Sequence, residues 1–153
     1  MTFQALPSEG RQGSPPSWPL SPALVMRWEF GEGGAKWQVR DAEASERTAE
    51  REATLWAWAW SLPQACAWDT PQYRHLLHSA AMWVRTMVIC EGPDATAADK
   101  NSLHRFADQI GLTTAGLKEL GWQIATDEVA TKRTERAPAA PRERRLRAAS
   151  DAQ

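Results

Sequence analysis

The sequence predicts an all-α protein, a helical bundle built on a central antiparallel helical hairpin. Two apolar stripes point there. Tyr73, Leu76, Leu77, Ala80, Val84, Met87 and Val88 recur at helical spacing up to about Glu91, where Gly92-Pro93 stops the run. Leu103, Phe106, Ala107 and Ile110 repeat the i, i+3, i+4, i+7 pattern, and Gly111 sits where a helix-ending glycine belongs. Strand-like alternation is nearly absent, which is the third observation behind the class.

The elements follow in chain order. Residues 1–22 hold five of the ten prolines (Pro7, Pro15, Pro16, Pro19, Pro22) among Gly and Ser, the composition of an extended or disordered arm. Trp18 and Leu20 are placed to dock it onto the body. Gly31, Gly33 and Gly34 break any early helix, and residues 28–40 (WEFGEGGAKWQVR) are compatible with a short β-hairpin outside the all-α scheme. From Asp41 the pattern turns helical, with Ala42, Ala49, Ala53, Trp56 and Trp60 near a 3.6-residue period. Acids dominate the first turns, as the helix dipole favours. Pro63 ends this element.

Thr70 as a cap and Pro71 at the first helical position open the next helix. Thr96 with Asp99 resembles a capping box, with Asp in place of the usual Glu. The link between the two striped helices is short, so they are expected to pack antiparallel. Thr113 caps a further short helix carrying Leu117 and Leu120. Gly121 interrupts it, and Trp122, Ile124 and Val129 continue the apolar spacing. The expected division is a Pro/Gly-rich arm with short ordered pieces (1–40), a helical oligomerisation domain (41–130) and a basic, disordered tail (131–153).

Length and charge narrow the function. At 153 residues the chain suits one domain with flanking tails. The net charge of −1 names no partner, but its distribution is uneven. Seven basic residues stand against three acids in 131–153, leaving that tail at +4 and the rest at −5. The two cysteines, Cys66 and Cys90, have no metal-like spacing, and MTFQALPSEG is not a secretory leader. No apolar run approaches the roughly 18 residues of a membrane helix. A cytoplasmic protein with reduced thiols is expected. Nine tryptophans against one tyrosine is an unusual load. Each carries on the order of 200 Å² that favours burial, so the core takes most of them and subunit interfaces are a natural place for some.

No catalytic or cofactor motif accompanies this layout. GEGGAK (31–36) lacks the order of a phosphate loop and a preceding apolar strand. His75 and His78 lie three apart with His104 distant, and Cys66 and Asp69 near them follow no ligand spacing, so no metal is expected. No Gly-x-Ser-x-Gly elbow is present. The expectation is a protein that is not an enzyme and binds no cofactor.

Residues 103–122 (LHRFADQIGLTTAGLKELGW) place Ala107, Gly111 and Leu117 at the spacing of a helix-turn-helix. Residues 113–120 then enter the major groove, with Thr113, Thr114 and Lys118 facing bases or phosphates. Against this, Gly116 and Gly121 each cost a recognition helix up to about 1 kcal/mol relative to Ala. Lys118 is also its single cation. A tight corner in a bundle explains the same spacing.

Taken together, the arm with WPL (18–20), the segment LWAWAWSLPQACAWD (55–69), the long helix after it, LHRFADQIGLTTAGLKELGWQI (103–124) and the charged tail are similar to terminase small subunits of phages infecting actinobacteria. The resemblance spans roughly residues 18–128. It implies a helical, ring-forming, non-catalytic homo-oligomer in the host cell cytoplasm. Such a protein organises double-stranded viral DNA for packaging and regulates the terminase large subunit. The helical hairpin at 71–110 then builds the ring, with Trp56, Trp60, Leu76, Leu77, Trp83, Val84, Met87, Phe106 and Ile110 as core or oligomer positions. Many relatives carry a DNA-binding module at the N-terminus, and residues 1–40 hold none. On charge, the residues expected to contact DNA are Lys132, Arg133, Arg136, Arg142, Arg144, Arg145 and Arg147, which would neutralise phosphates without reading sequence. The alternatives are a dimeric helix-turn-helix transcription regulator using residues 103–122, and a protein adaptor that hardly touches DNA.

Overall fold

A computed structural model describes residues 2–126, about half of them helical. In chain order the elements are β1 (Gln4–Leu6), β2 (Met26–Phe30), β3 (Lys36–Arg40), α1 (Ala42–Ala59), α2 (Pro63–Trp68), α3 (Leu76–Glu91), α4 (Ala97–Gln109), α5 (Thr114–Leu120) and β4 (Trp122–Ile124). The fold is mostly helical rather than all-α, because the four short strands form two two-stranded sheets.

Local chemistry sets most boundaries. The Asp41 carboxylate accepts the Ala44 N–H at 3.0 Å and caps α1. Pro63, expected only to end that helix, stands in the first turn of α2, where its missing N–H is not needed. Thr70 does not cap the following helix. Its hydroxyl donates to the Ala67 carbonyl instead, at 2.7 Å. The chain then winds through tight turns, with Tyr73 N–H bonded to Thr70 and Leu76 N–H to Tyr73, and α3 begins at Leu76. From that turn Tyr73 sets its ring edge-on against Trp122, 4.9 Å between centroids.

Gly92 ends α3, and Thr96 with Asp99 forms a complete capping box on α4. The Thr96 backbone N–H holds the Asp99 carboxyl below its ordinary range. Gly121 ends α5, and Trp122–Ile124 run on as strand, where helical spacing was expected. The reason is a partner far away in sequence. β4 pairs in parallel with β1, Gln4 opposite Trp122 and Leu6 opposite Ile124.

Residues 2–22, within the stretch 1–22 expected as an extended or disordered arm, are extended and held against the body. Leu6 is 1% exposed. Trp56 Nε1–H donates to the Pro16 carbonyl at 2.7 Å. Trp18 and Leu20 pack on the core, as their placement implied. The Arg11 guanidinium lies over the Trp60 ring and pairs with Asp69 at 3.0 Å.

A run of edge-on indoles forms the centre of the core. Trp18 meets Trp56 at 5.3 Å, Trp56 meets Trp60 at 5.5 Å, and Trp60 meets Trp68 at 5.5 Å. Trp68 Nε1–H donates to the Ile110 carbonyl at 2.9 Å and ties α2 to the end of α4. Ala59, Ala65, Ala80, Ala81 and Val84 fill the space between the rings and the helices. α3 packs against both α1 and α4. Among the described residues, no helix is long and apolar enough to cross a membrane.

One charged pair is built into this core. Glu52, 3% exposed, receives two hydrogen bonds from Arg85, at 2.8 and 3.1 Å. Arg85 also donates to the Ser21 carbonyl and lies over Trp18, so one guanidinium links α1, α3 and the arm. Removing one partner of a buried pair costs more than the pair contributes. Glu52→Ala is expected to lower unfolding stability by about 2–3 kcal/mol in denaturant titrations, with Glu52→Gln costing less because it keeps an acceptor.

Candidate functional site

The corner between α4 and α5 comes first, because the sequence singled it out. Gly111, at φ +79°, turns the chain after Ile110, and Thr113 opens α5. The Thr113 hydroxyl accepts the Gly116 N–H at 3.0 Å and donates to the Asp108 carboxylate. A Cβ on Gly116 would lie 2.3 Å from the Asp108 carbonyl oxygen, so α5 crosses the end of α4 at backbone contact. Gly116 is therefore required by the packing, and Gly121 by the left-handed turn into β4. Ala107 is buried and Leu117 packs on the core. The expected helix-turn-helix spacing is thus a real corner.

Its outer surface is poorly suited to phosphate. Thr113 spends its hydroxyl inside the corner. Thr114 and Lys118 are exposed on α5, which has seven residues. Lys118 is the one cation of α5 and stands with Thr114, while Asp108 and Glu119 line a separate cleft. Below Lys118, Phe3, Leu117, Trp122 and Ile124 line an apolar cleft of about 420 Å³.

A second surface was not anticipated. β2 and β3 form an antiparallel β-hairpin in which Met26 faces Arg40, Trp28 faces Gln38 and Phe30 faces Lys36. Opposed residues share a face, and successive residues alternate faces. One face therefore carries Met26, Trp28 and Phe30 in a row beside Lys36 and Arg40, with no acid. Phe30 is 75% exposed and Trp28 52%. The Lys36 ammonium lies 5.2 Å from the Trp28 ring centre. On the other face Glu29 accepts from Arg27 at 3.0 Å and from Trp37 Nε1–H at 3.2 Å.

The base of the β-hairpin is fixed to the body. Asp41 N–H bonds to the Val25 carbonyl at 2.8 Å, and the hydroxyl of buried Ser45 accepts the Val25 N–H at 2.9 Å. These contacts hold the ribbon at the start of α1. A lone two-stranded ribbon is marginally stable, so leaving its aromatic face open is unusual.

A third surface lies between α1 and α3. Arg51, Thr54, Leu55, Trp58, Trp83 and Met87 line a groove of about 400 Å³. Trp58, half exposed, lies against Trp83 with 6.1 Å between ring centres. At one rim Arg51 and Glu91 make two hydrogen bonds, at 2.7 and 2.9 Å. The bond from Arg51 holds the Glu91 carboxyl below the ordinary carboxylate range, and Glu91 raises Arg51 in turn.

The remaining expected residues divide plainly. Lys132, Arg133, Arg136, Arg142, Arg144, Arg145 and Arg147 lie outside the described residues. Trp56, Trp60, Leu76, Trp83, Val84 and Ile110 are buried within the chain, with Leu77, Met87 and Phe106 packed against them. Of these nine, Trp83 and Met87 also line the groove. Exposed apolar residues outside the expected positions include Met26, Phe30 and the indoles of Trp28, Trp37 and Trp58. The short β-hairpin expected at 28–40 is present, with β2 starting two residues earlier at Met26. Among the described residues, no group of three or more His, Cys, Asp or Glu is arranged to hold a metal ion.

Comparison with family models, with curated proteins and with solved structures returns no match to this chain.

The corner gives a direct contrast between packing and surface. Gly116→Ala is expected to cost at least about 2 kcal/mol in chemical denaturation, because backbone must move to admit the methyl group. Thr114→Ala, on the open side of the same helix, is expected to stay within about 0.5 kcal/mol.

Proposed function

We propose that the protein is a non-catalytic, multimeric, DNA-associated adaptor of the terminase small-subunit kind, acting in the host cytoplasm on double-stranded viral DNA and the terminase large subunit. The observation that carries the multimer is the pair of open apolar surfaces, the β-hairpin face around Trp28 and Phe30 and the groove at Trp58. The described residues bury five tryptophans, yet Trp28, Trp37 and Trp58 stay 45–52% exposed. Unpaired surfaces of this sort mark association sites. In this reading α3 and α4 form the antiparallel hairpin at the centre of each subunit of a ring.

Charge assigns the DNA contact to the tail. Residues 2–126 hold eleven Lys and Arg against fourteen Asp and Glu, a net −3, whereas 131–153 carries +4. The body's own charge opposes a phosphate backbone, and the tail's charge attracts it. The helix-turn-helix regulator is the second reading, supported by the α4–α5 corner and opposed by the single cation, Lys118, that α5 offers.

Two measurements test the proposal. Light scattering at low micromolar concentration is expected to give a mass many times the 17.1 kDa of one chain. Deleting 131–153 is expected to abolish DNA binding at low salt, and the intact protein's log–log salt slope is expected to approach −6 for seven phosphate contacts, at about −0.9 each. Undiminished binding by the deleted form overturns the tail assignment. A dimer whose binding to a short palindrome depends on Lys118 moves the function to the regulator.

A further inference from the structure

Both open apolar surfaces sit on the same helix, at opposite ends. The β-hairpin is rooted at Asp41 and Ser45, where α1 begins, and Trp58 lies near where α1 ends. At 1.5 Å per residue these points are about 25 Å apart along the axis. Five-residue strands reach about 17 Å. Within one chain the ribbon does not occupy the groove, whose lining comes from α1 and α3 alone, and Trp28 and Phe30 stay exposed.

The two surfaces complement each other. The β-hairpin offers Met26, Trp28 and Phe30 with Lys36 and Arg40, and neither cation makes an ion pair among the described residues. The groove offers Leu55, Trp58, Trp83 and Met87. One turn before Thr54 on the same side of α1 stands Glu50, and Glu46 precedes it by another turn. Both carboxylates are exposed and make no ion pair among the described residues. At the other rim Arg51 is already neutralised by Glu91. An apolar strip flanked by two open cations thus has its counterpart in an apolar groove flanked by two open carboxylates.

We propose that the β2–β3 ribbon of one copy docks its Met26–Trp28–Phe30 face into the α1/α3 groove of a second copy, with Lys36 and Arg40 set against Glu46 and Glu50. The inference rests on the multimeric part of the proposed function and names its interface. The two surfaces differ, so the contact is head-to-tail. Each copy gives a ribbon and receives one, and the chain of contacts closes into a ring or runs on as a filament. The ribbon side chains that dock are exposed within one chain, so substituting them leaves its core intact.

The test uses two full-length variants. Trp28→Ser/Phe30→Ser blocks the ribbon and keeps the groove, while Trp58→Ser blocks the groove and keeps the ribbon. Each alone is expected to be monomeric by light scattering where the parent protein is a multimer. Mixed, they are expected to form a one-to-one pair that grows no further, because only one ribbon and one groove remain competent. A second set, Lys36→Glu/Arg40→Glu and Glu46→Lys/Glu50→Lys, is expected to weaken assembly at least about tenfold singly and to recover it when combined in one chain.

A parent multimer that Trp58→Ser leaves unchanged overturns the ribbon–groove contact while leaving the adaptor function standing. A monomeric parent overturns both. Loss of DNA affinity in the ribbon variant at unchanged mass makes the aromatic-cationic face a nucleic-acid surface and overturns the docking.

Discussion

The edge-on run of indoles from Trp18 through Trp56 and Trp60 to Trp68 is the constraint on which the rest of the structure depends. Its rings belong to the arm, to α1 with the turn that follows it, and to α2. The last of them is hydrogen-bonded to the carbonyl of Ile110 at the end of α4. An indole has two side-chain torsions and a large apolar area, so a chain of them fixes direction at little entropic cost. Edge-to-face pairing contributes roughly 0.5–1.5 kcal/mol per contact beyond burial. Once this run sets the position of α1, it also sets what lies at each end of that helix. The ribbon is rooted before Ser45 and the groove opens around Trp58. The spacing between two surface features is therefore decided in the core.

The division between what the sequence shows and what it hides follows contact range. Asp41, the Thr96–Asp99 box, Gly92 and Thr113 act on neighbours within four residues, and each lies where the sequence placed it. Thr70-Pro71 carries the same local signal and fails, because Tyr73 finds Trp122 and the segment stays in tight turns. β4 was hidden for a related reason. Three residues have no period to read, and their partner strand is at the other end of the chain. The ribbon is the instructive case. The β-hairpin itself was legible at 28–40, because its glycines and alternation are local, but its open apolar face was not, because spacing does not say what an element packs against.

The candidate surfaces show the same limit. Spacing correctly identified the α4–α5 corner, since Ala107, Gly111 and Leu117 are packing positions. Composition signalled too many indoles for an ordinary core, and the surplus resides in Trp28, Trp37 and Trp58. In the proposed function the labour then divides by chemistry. Apolar surfaces on the body join copies to one another, and cations beyond it meet the phosphates.

The parallel pairing of β1 with β4 also bears on how the chain is made. Synthesis proceeds from the N-terminus, so Leu6 leaves the ribosome long before Trp122 and Ile124 exist. Parallel strands cannot close as a tight turn, and everything between them must be in place first. Until then the edge of β1 that faces β4 has no partner, although α2 packs against β1 from another side. β1 is made before β4, so a chain broken off before Trp122 leaves this pairing unmade and its edge open to the proteases and chaperones that sort incomplete products. The clasp thus closes only once the chain has been made through Ile124.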